Sequence, residues 1–196
     1  MPNTGTNPPL PKPICVARAS VIGFFSIRNS NWKRVKFFSM TAATDFLDQR
    51  HIPYRLFRHA GRVESLEQAA AERGQQPGQV VRTIVFRLGE GEFALALMAG
   101  PRQVSWPALR RTLGQRRLSM ASPEEVKLAT GYVPGTVSPF GLPAPLRILV
   151  DRSALAPAEI SLGSGERGLA IVMASADLLS ALGATAEVGE WGESEA

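Results

Sequence analysis

The segment from Thr130 to Gly141 contains the residue types best suited to chemistry in this sequence. It reads Thr-Gly-Tyr-Val-Pro-Gly-Thr-Val-Ser-Pro-Phe-Gly, with three glycines and two prolines in twelve residues, a density that predicts a shaped loop. Glycines let a backbone approach a ligand closely and turn its N–H groups outward. Such N–H groups can stabilise a carbonyl oxygen as it becomes negative, without any titratable side chain. A rigid turn between two elements is the alternative interpretation.

The familiar signatures of nucleophilic, nucleotide-binding and metal sites are missing. There is no Walker loop and no G-x-S-x-G elbow. Gly163, Gly165 and Gly168 have the spacing of a dinucleotide loop, but they lie between two predicted strands and therefore predict a hairpin. The single cysteine excludes a disulfide framework and a cysteine-based zinc site. With only two histidines, we expect no metal and no cofactor.

The elements that must position this loop alternate unevenly between helix and strand. Helices are predicted over Thr41–Gln49, from Ser65 to Gly74, from Ser105 to Gly114, from Ser122 to Leu128, and over Ala176–Leu182 after a Ser175 cap. Strands are predicted over Tyr54–His59, Val80–Leu88, Phe93–Met98, Leu118–Met120, Leu146–Val150, Glu159–Leu162 and Gly168–Met173. Several of these strands are hairpin-linked, which favours an α+β fold with a mixed sheet.

Composition and charge divide the chain into a long folded part and two extensions. The 196 residues are 44% hydrophobic and 20% charged, which is typical of a globular protein. The apolar run at residues 21–27 is far shorter than the ~20 residues of a membrane span, so we expect no membrane partner. Residues 1–39 hold six basic residues and no acid, whereas residues 40–196 hold 16 basic and 17 acidic residues. The predicted parts are a basic disordered extension at 1–39, the domain at 40–183 and a frayed acidic tail at 184–196.

Three interpretations of residues 1–39 remain open. A targeting segment fits poorly, because the short apolar run is followed by Arg28-Asn29-Ser30 rather than by a small-residue cleavage site. A basic arm could bind RNA, with Trp32, Phe37 and Phe38 available for stacking. In the third interpretation translation begins at Met40, where the composition changes abruptly.

The order of these motifs resembles the YbaK/EbsC family, free-standing relatives of the editing domain of bacterial prolyl-tRNA synthetase. The resemblance runs from about Thr41 to Leu182, through the strand Val81–Phe86 and its partner Leu95–Met98. Its most specific part is Thr130-Gly131 followed by G-x-x-x-P-F-G at Gly135 to Gly141. It implies an α+β fold with a mixed, largely antiparallel sheet or partial barrel and surrounding helices. It also implies trans-editing in the cytoplasm: hydrolysis, without metal, of the ester that joins a wrong amino acid to a tRNA.

The resemblance assigns roles to individual residues. The loop from Gly135 to Pro139 would hold the aminoacyl end, with Gly135 and Ser138 as catalytic candidates and Gly131 permitting close approach. Substrate contacts would come from Thr136, Val137 and Pro139 in the same loop. Independently of the resemblance, His59 at the end of a predicted strand could line the pocket, and a satisfied structural histidine is the alternative. Relatives usually carry a lysine where this sequence has Arg82. Arg82 keeps the charge and can hold a phosphate or carbonyl in a fork, but a guanidinium cannot act as a base.

A cluster of four arginines is predicted to bind the phosphates of the tRNA acceptor stem. These are Arg110, Arg111, Arg116 and Arg117. A solvated basic face is the alternative. An aminoacyl-tRNA synthetase is a second candidate partner. Two other functions stay open at this point: a binding module of the same fold that has lost turnover with the lysine, and hydrolysis of another small amino-acid ester.

Overall fold

The computed structural model describes residues 15–17 and 41–193 of the chain. Within these ranges the helices are α1 (Ala42–Gln49), α2 (Leu66–Arg73), α3 (Trp106–Leu113), α4 (Pro123–Thr130) and α5 (Ser175–Leu182). The strands are β1 (Cys15–Ala17), β2 (Arg55–Arg58), β3 (Val81–Gly89), β4 (Glu92–Ala99), β5 (Ser119–Met120), β6 (Arg147–Asp151), β7 (Glu159–Gly163), β8 (Leu169–Ala174) and β9 (Ala186–Gly189). None of the helices in these ranges has the length and apolarity to cross a membrane.

The strands form two sheets, and the predicted α+β class with a mixed sheet is confirmed. The first sheet has the order β1-β2-β8-β7 and is antiparallel throughout. The second has the order β5-β3-β4-β6-β9, in which β6 runs parallel to both β4 and β9. An isolated parallel bridge between Val80 and Ser161 joins the start of β3 to β7. The sheets therefore meet at a seam and do not close into a barrel.

Strand β4 is the centre of the second sheet and supplies side chains to two cores. Every residue from Phe93 to Ala99 is buried. Because neighbouring side chains on a strand point to opposite faces, Leu95 and Leu97 enter the larger core that the two sheets share, while Ala96 and Met98 enter a smaller core beneath α3. This double burial explains why β4 is an almost continuous apolar run rather than an alternating one.

Side-chain caps and glycines set the helix ends at most of the predicted places. The backbone N–H of Glu125 donates to the Ser122 hydroxyl, and the Glu125 carboxylate accepts from the Ser122 N–H, which completes the predicted capping box. Gly74 and Gly114 follow α2 and α3 in the left-handed conformation. Helix α4 continues two residues beyond the predicted end, to Thr130, and Gly131 in the left-handed conformation ends it.

Two local expectations at the C-terminal end are wrong. Ser175 is the first residue of α5 rather than its cap; the cap position holds Ala174, which makes no side-chain hydrogen bond. The tail is not frayed over its described part, because residues 186–189 pair with β6 as β9 and Trp191 is buried. The Asp151 carboxylate accepts the N–H groups of Trp191 at 2.7 Å and Gly192 at 3.1 Å. These hydrogen bonds fix a segment whose own acidic sequence gives no sign of order.

The expected disorder of the N-terminal extension does not hold for residues 15–17. They form β1, which pairs antiparallel with β2. The rest of the extension, including the aromatic residues of the possible RNA-binding arm, lies outside the described residues.

Candidate active site

A cavity of about 310 Å³ lies at the seam between the two sheets. It is walled by the end of β2, the inner face of α2, the start of β3, the turn between β7 and β8, and the loop after α4. Its lining is mostly apolar with a few polar groups, the usual composition of a small-molecule site. The residues are His59, Val63, Leu66, Ala69, Arg73, Val80, Val81, Arg82, Thr83, Gly135, Val137, Leu162, Gly163, Glu166, Gly168, Leu169 and Ala170.

Two residues of the glycine-rich loop that line this cavity have uncommitted backbone N–H groups. Gly135 and Val137 both line it. Within the described part of the chain, the backbone N–H groups of Gly135 and Val137 donate to no protein acceptor, whereas that of Thr136, between them, donates to the Val133 carbonyl at 3.1 Å. Gly135 has a φ of 84°, a conformation that side chains other than hydrogen rarely permit. Such a pair of uncommitted donors can stabilise an oxyanion.

The turn between β7 and β8 holds this loop in place. The N–H of Gly165 donates to the Thr136 carbonyl at 2.8 Å. A Cβ on Gly163 would lie 2.4 Å from the Val137 carbonyl oxygen and 2.6 Å from that of Thr136, so only glycine allows this approach. The predicted hairpin is confirmed, but its glycines also position the loop. Gly163 and Gly165, two of the three glycines with the G-x-G-x-x-G spacing, therefore have a role that the hairpin alone does not explain.

Tyr132 fixes the far end of the loop. Its hydroxyl donates to the Phe140 carbonyl at 2.6 Å. Burial, followed by the nearby charge of Asp45, raises the pKa of Tyr132 to about 12, so the phenol stays a donor across ordinary pH.

The Tyr132→Phe substitution should lower the free energy of unfolding by about 1–2 kcal/mol, because it leaves a buried carbonyl without its partner. Urea unfolding at neutral pH measures this loss. A change below about 0.5 kcal/mol would mean that water or a shift of the loop replaces the hydrogen bond.

Arg82 is a half-buried cation at the cavity. Its Nη2 donates to the backbone carbonyl of Arg102, and its Nε is buried without a partner in the described part of the chain. Burial lowers the pKa of Arg82 from its ordinary value, but a guanidinium stays protonated in proteins. The residue can therefore attract or orient negative charge, and it cannot remove a proton.

His59 lies in the cavity wall, but both of its ring nitrogens are already engaged. Nδ1 lies 2.5 Å from a carboxylate oxygen of Glu72. Nε2 lies 3.3 Å from Nε and 3.0 Å from Nη2 of Arg73. Because arginine only donates, Nε2 accepts and Nδ1 carries the proton toward Glu72. His59 thus has no free lone pair with which to act as a base.

Four predicted loop residues are not part of the cavity wall. Ser138 is fully buried, and its hydroxyl accepts from the Phe140 N–H at 3.4 Å. The Thr136 hydroxyl donates to the Val133 carbonyl at 2.9 Å. Pro139 is buried, and Gly131 ends α4. These residues shape the loop that Gly135 and Val137 present, and their assigned catalytic and substrate roles stay predictions.

The four arginines predicted to hold tRNA lie apart from the cavity. Arg110 and Arg111 are in the last turn of α3, and exposed Arg116 and Arg117 follow before β5. None of the four lines the cavity. They form a basic surface in the described part of the chain whose role in tRNA binding stays a prediction. No group of three or more metal-ligating side chains occurs among the described residues.

Sequence comparison connects this site to proteins that act on tRNA. The model of the aminoacyl-tRNA editing domain matches residues 60–181. The chain is 24% identical over 142 residues to EbsC of Enterococcus faecalis, named as a proposed Cys-tRNA(Pro)/Cys-tRNA(Cys) deacylase, covering 71% of this chain and 87% of EbsC. It is 28% identical over 137 residues to the multifunctional Ser/Thr-tRNA deacylase ProXp-y of Escherichia coli K12, covering 68% and 81%.

Longer relatives and a solved structure extend the comparison. The chain is 29% identical over 108 residues to the proline–tRNA ligase of Trichlorobacter lovleyi, covering 55% of this chain and 19% of that enzyme. The chain thus matches only about a fifth of that ligase. A crystal structure described as a proposed trans-editing enzyme for prolyl tRNA synthetase superposes with a TM-score of 0.70 and 26% identity, covering 78% of this chain and 96% of that one.

Proposed function

The chain belongs to the aminoacyl-tRNA editing domain family, and from that membership we propose that it is an aminoacyl-tRNA deacylase that edits in trans. It hydrolyses the ester between a wrong amino acid and the 3′ end of a tRNA. The observation that carries this proposal is the pair of uncommitted N–H groups on Gly135 and Val137 at a cavity of about 310 Å³. An activated ester needs placement and oxyanion stabilisation more than it needs a strong nucleophile.

The reaction uses the loop as an oxyanion site. The oxygen of a positioned water bonds to the ester carbon, and the carbonyl oxygen becomes negative against the N–H groups of Gly135 and Val137. The bond between that carbon and the ribose oxygen then breaks, and the ribose oxygen takes up the proton that the nucleophile loses. Arg82 lies at the same cavity and orients the ester or the terminal phosphate. Neither Arg82 nor His59 supplies a base.

The partners follow from this activity. The substrate is the aminoacylated 3′ end of tRNA, and the surface with Arg110, Arg111, Arg116 and Arg117 takes the phosphates of the acceptor stem. The proposal includes association with an aminoacyl-tRNA synthetase and a cytoplasmic location, because mischarged tRNA is made there.

Single-turnover deacylation of a panel of mischarged tRNAs, beginning with tRNA-Pro, tests the function. We expect hydrolysis by the wild type and at least ~10-fold slower hydrolysis by Arg82→Ala and by Gly135→Ala. Arg82→Lys should recover much of the rate, because a lysine restores the positive charge. Since no atom lies within 4 Å of a Cβ on Gly135, its substitution tests backbone conformation rather than a clash.

The panel also identifies the competing functions. Binding of tRNA without hydrolysis of any member would replace the deacylase with a binding module. Equal hydrolysis of an amino-acid ester that lacks the tRNA body would replace it with a general esterase.

A further inference from the structure

Arg73 is a cation at the cavity that the mechanism above does not use. It is the last residue of α2, and its guanidinium reaches two other elements. Nη1 donates to the Ser161 hydroxyl on β7 at 2.6 Å. Nε and Nη2 both point to Nε2 of His59. These contacts hold the guanidinium in one place at the cavity wall.

The guanidinium keeps unused hydrogen-bonding capacity there. It has five N–H donors, and the contacts to His59 and Ser161 use three of them. One N–H on Nη1 and one on Nη2 are left over. Burial lowers the pKa of Arg73 to about 10, against the opposing effect of the nearby charge of Glu72. Arg73 is partly buried and lines the cavity, so a ligand there that supplies an acceptor can pair with these donors.

The surrounding charges show which kind of acceptor fits. No carboxylate lies within 4 Å of Arg73 in the described part of the chain, but Glu72 stands on the other side of His59 and its negative charge acts on Arg73. Glu166, which also lines the cavity, pairs with Arg58 at 2.9 Å. The positive charge of Arg73 is thus already partly balanced. A second buried carboxylate would carry an uncompensated charge, whereas a neutral oxygen would not.

We propose that Arg73 selects the aminoacyl group by hydrogen bonding to a neutral oxygen on its side chain. The inference rests on the proposed deacylase function and names its substrate class, amino acids that end in a hydroxyl or a carboxamide. Apolar walls such as Val81 and Leu162 contact the rest of the side chain. An aliphatic isostere enters the same space but leaves the Arg73 donors unpaired.

Matched isosteric substrates test this selection. One tRNA that the protein accepts is charged chemically with threonine or valine, and in a second pair with asparagine or leucine. We expect kcat/KM for the threonyl ester to exceed that for the valyl ester at least ~10-fold, because a site built around a hydrogen bond rejects the analogue that lacks it. The kcat/KM for the asparaginyl ester should likewise exceed the values for the leucyl and the aspartyl esters.

Variants assign the preference to the guanidinium. In Arg73→Leu the threonine-to-valine ratio should fall at least ~10-fold, toward one, and Arg73→Lys should give an intermediate ratio because it retains charge without the fork. Arg152→Leu is the matched control, since Arg152 is exposed and lies outside the cavity; its ratio should equal that of the wild type. Thermal melting checks that each variant is folded, and the wild-type ratio tests the proposal even where a variant is not.

Other outcomes distinguish a failure of the role of Arg73 from a failure of the proposed deacylase function. Equal rates for threonine and valine in the wild type would overturn the role of Arg73 and leave the deacylase intact. If Arg73→Leu lowers kcat/KM equally for the threonyl and valyl esters, Arg73 contacts the shared ester group instead of the side chain. Faster hydrolysis of the aspartyl than of the asparaginyl ester would overturn the proposal that the recognised oxygen is neutral. Absence of hydrolysis on every tRNA counts against the deacylase itself.

Discussion

The Gly163→Ala substitution should lower kcat/KM for deacylation about 100-fold or more. An alanine Cβ there would lie 2.4 Å from the Val137 carbonyl oxygen and 2.6 Å from that of Thr136, well inside van der Waals contact. Both oxygens belong to the backbone and cannot rotate away. The loop from Gly135 to Val137 must then move by about an ångström. Displacements of this size at a reacting centre cost about 100-fold in rate.

Controls for this variant separate the loop from the fold. Gly61→Ala is matched in chemistry, because no atom lies within 4 Å of a Cβ at Gly61 and its φ lies outside the left-handed region; its activity should be that of the wild type. Binding of uncharged tRNA by Gly163→Ala, measured by filter retention, should change little, since the basic surface lies elsewhere. Activity of Gly163→Ala within ~10-fold of the wild type would show that the loop tolerates displacement.

The Asp151→Asn substitution should lower the free energy of unfolding at neutral pH by about 3 kcal/mol. The carboxylate is buried and accepts the N–H groups of Ser153, Trp191 and Gly192. Asparagine keeps one acceptor oxygen and turns an NH₂ group toward the remaining donors. Because Asp151 joins the end of β6 to the segment after β9, the loss should also loosen the C-terminal segment. Urea unfolding gives the energy, and hydrogen exchange at Trp191 gives the location.

The same carboxylate predicts a pH dependence of stability. Burial alone would raise the pKa of Asp151, but the hydrogen bonds from Ser153, Trp191 and Gly192 outweigh it and hold the pKa below its ordinary value of 3.8. The stabilisation is therefore complete above the unfolded pKa and is lost as pH falls below about 4 through the folded pKa. The difference in stability between wild type and Asp151→Asn should shrink over that range, and the exposed Glu90→Gln control should show no such convergence. A difference that stays constant down to pH 2.5 would contradict the role of the charge.

Local chemistry made much of the fold predictable from sequence. The Ser122–Glu125 capping box, the glycines after α2 and α3, and the turn between β3 and β4 act within a few residues, so their signals are continuous in the chain. The candidate loop was equally visible, because glycine and proline density is a local property. The motif resemblance added the order of elements and the residues Arg82, Gly135 and Val137, which the fold does bring to one cavity.

The tertiary structure alone decided the remaining contacts of the site. Periodicity places Arg73 on a helix, but the groups that its guanidinium meets are 14 and 88 residues away in sequence. Gly163 approaches the loop across the seam that the Val80–Ser161 bridge forms. The segment after β9 is fixed by the carboxylate of Asp151, which lies 40 residues before Trp191. Such contacts depend on how the two sheets pack, and no residue pattern within one segment records that packing. The sequence by itself thus determined most of the elements and the loop, while the packing decided which side chains line the cavity and which serve only to hold the loop.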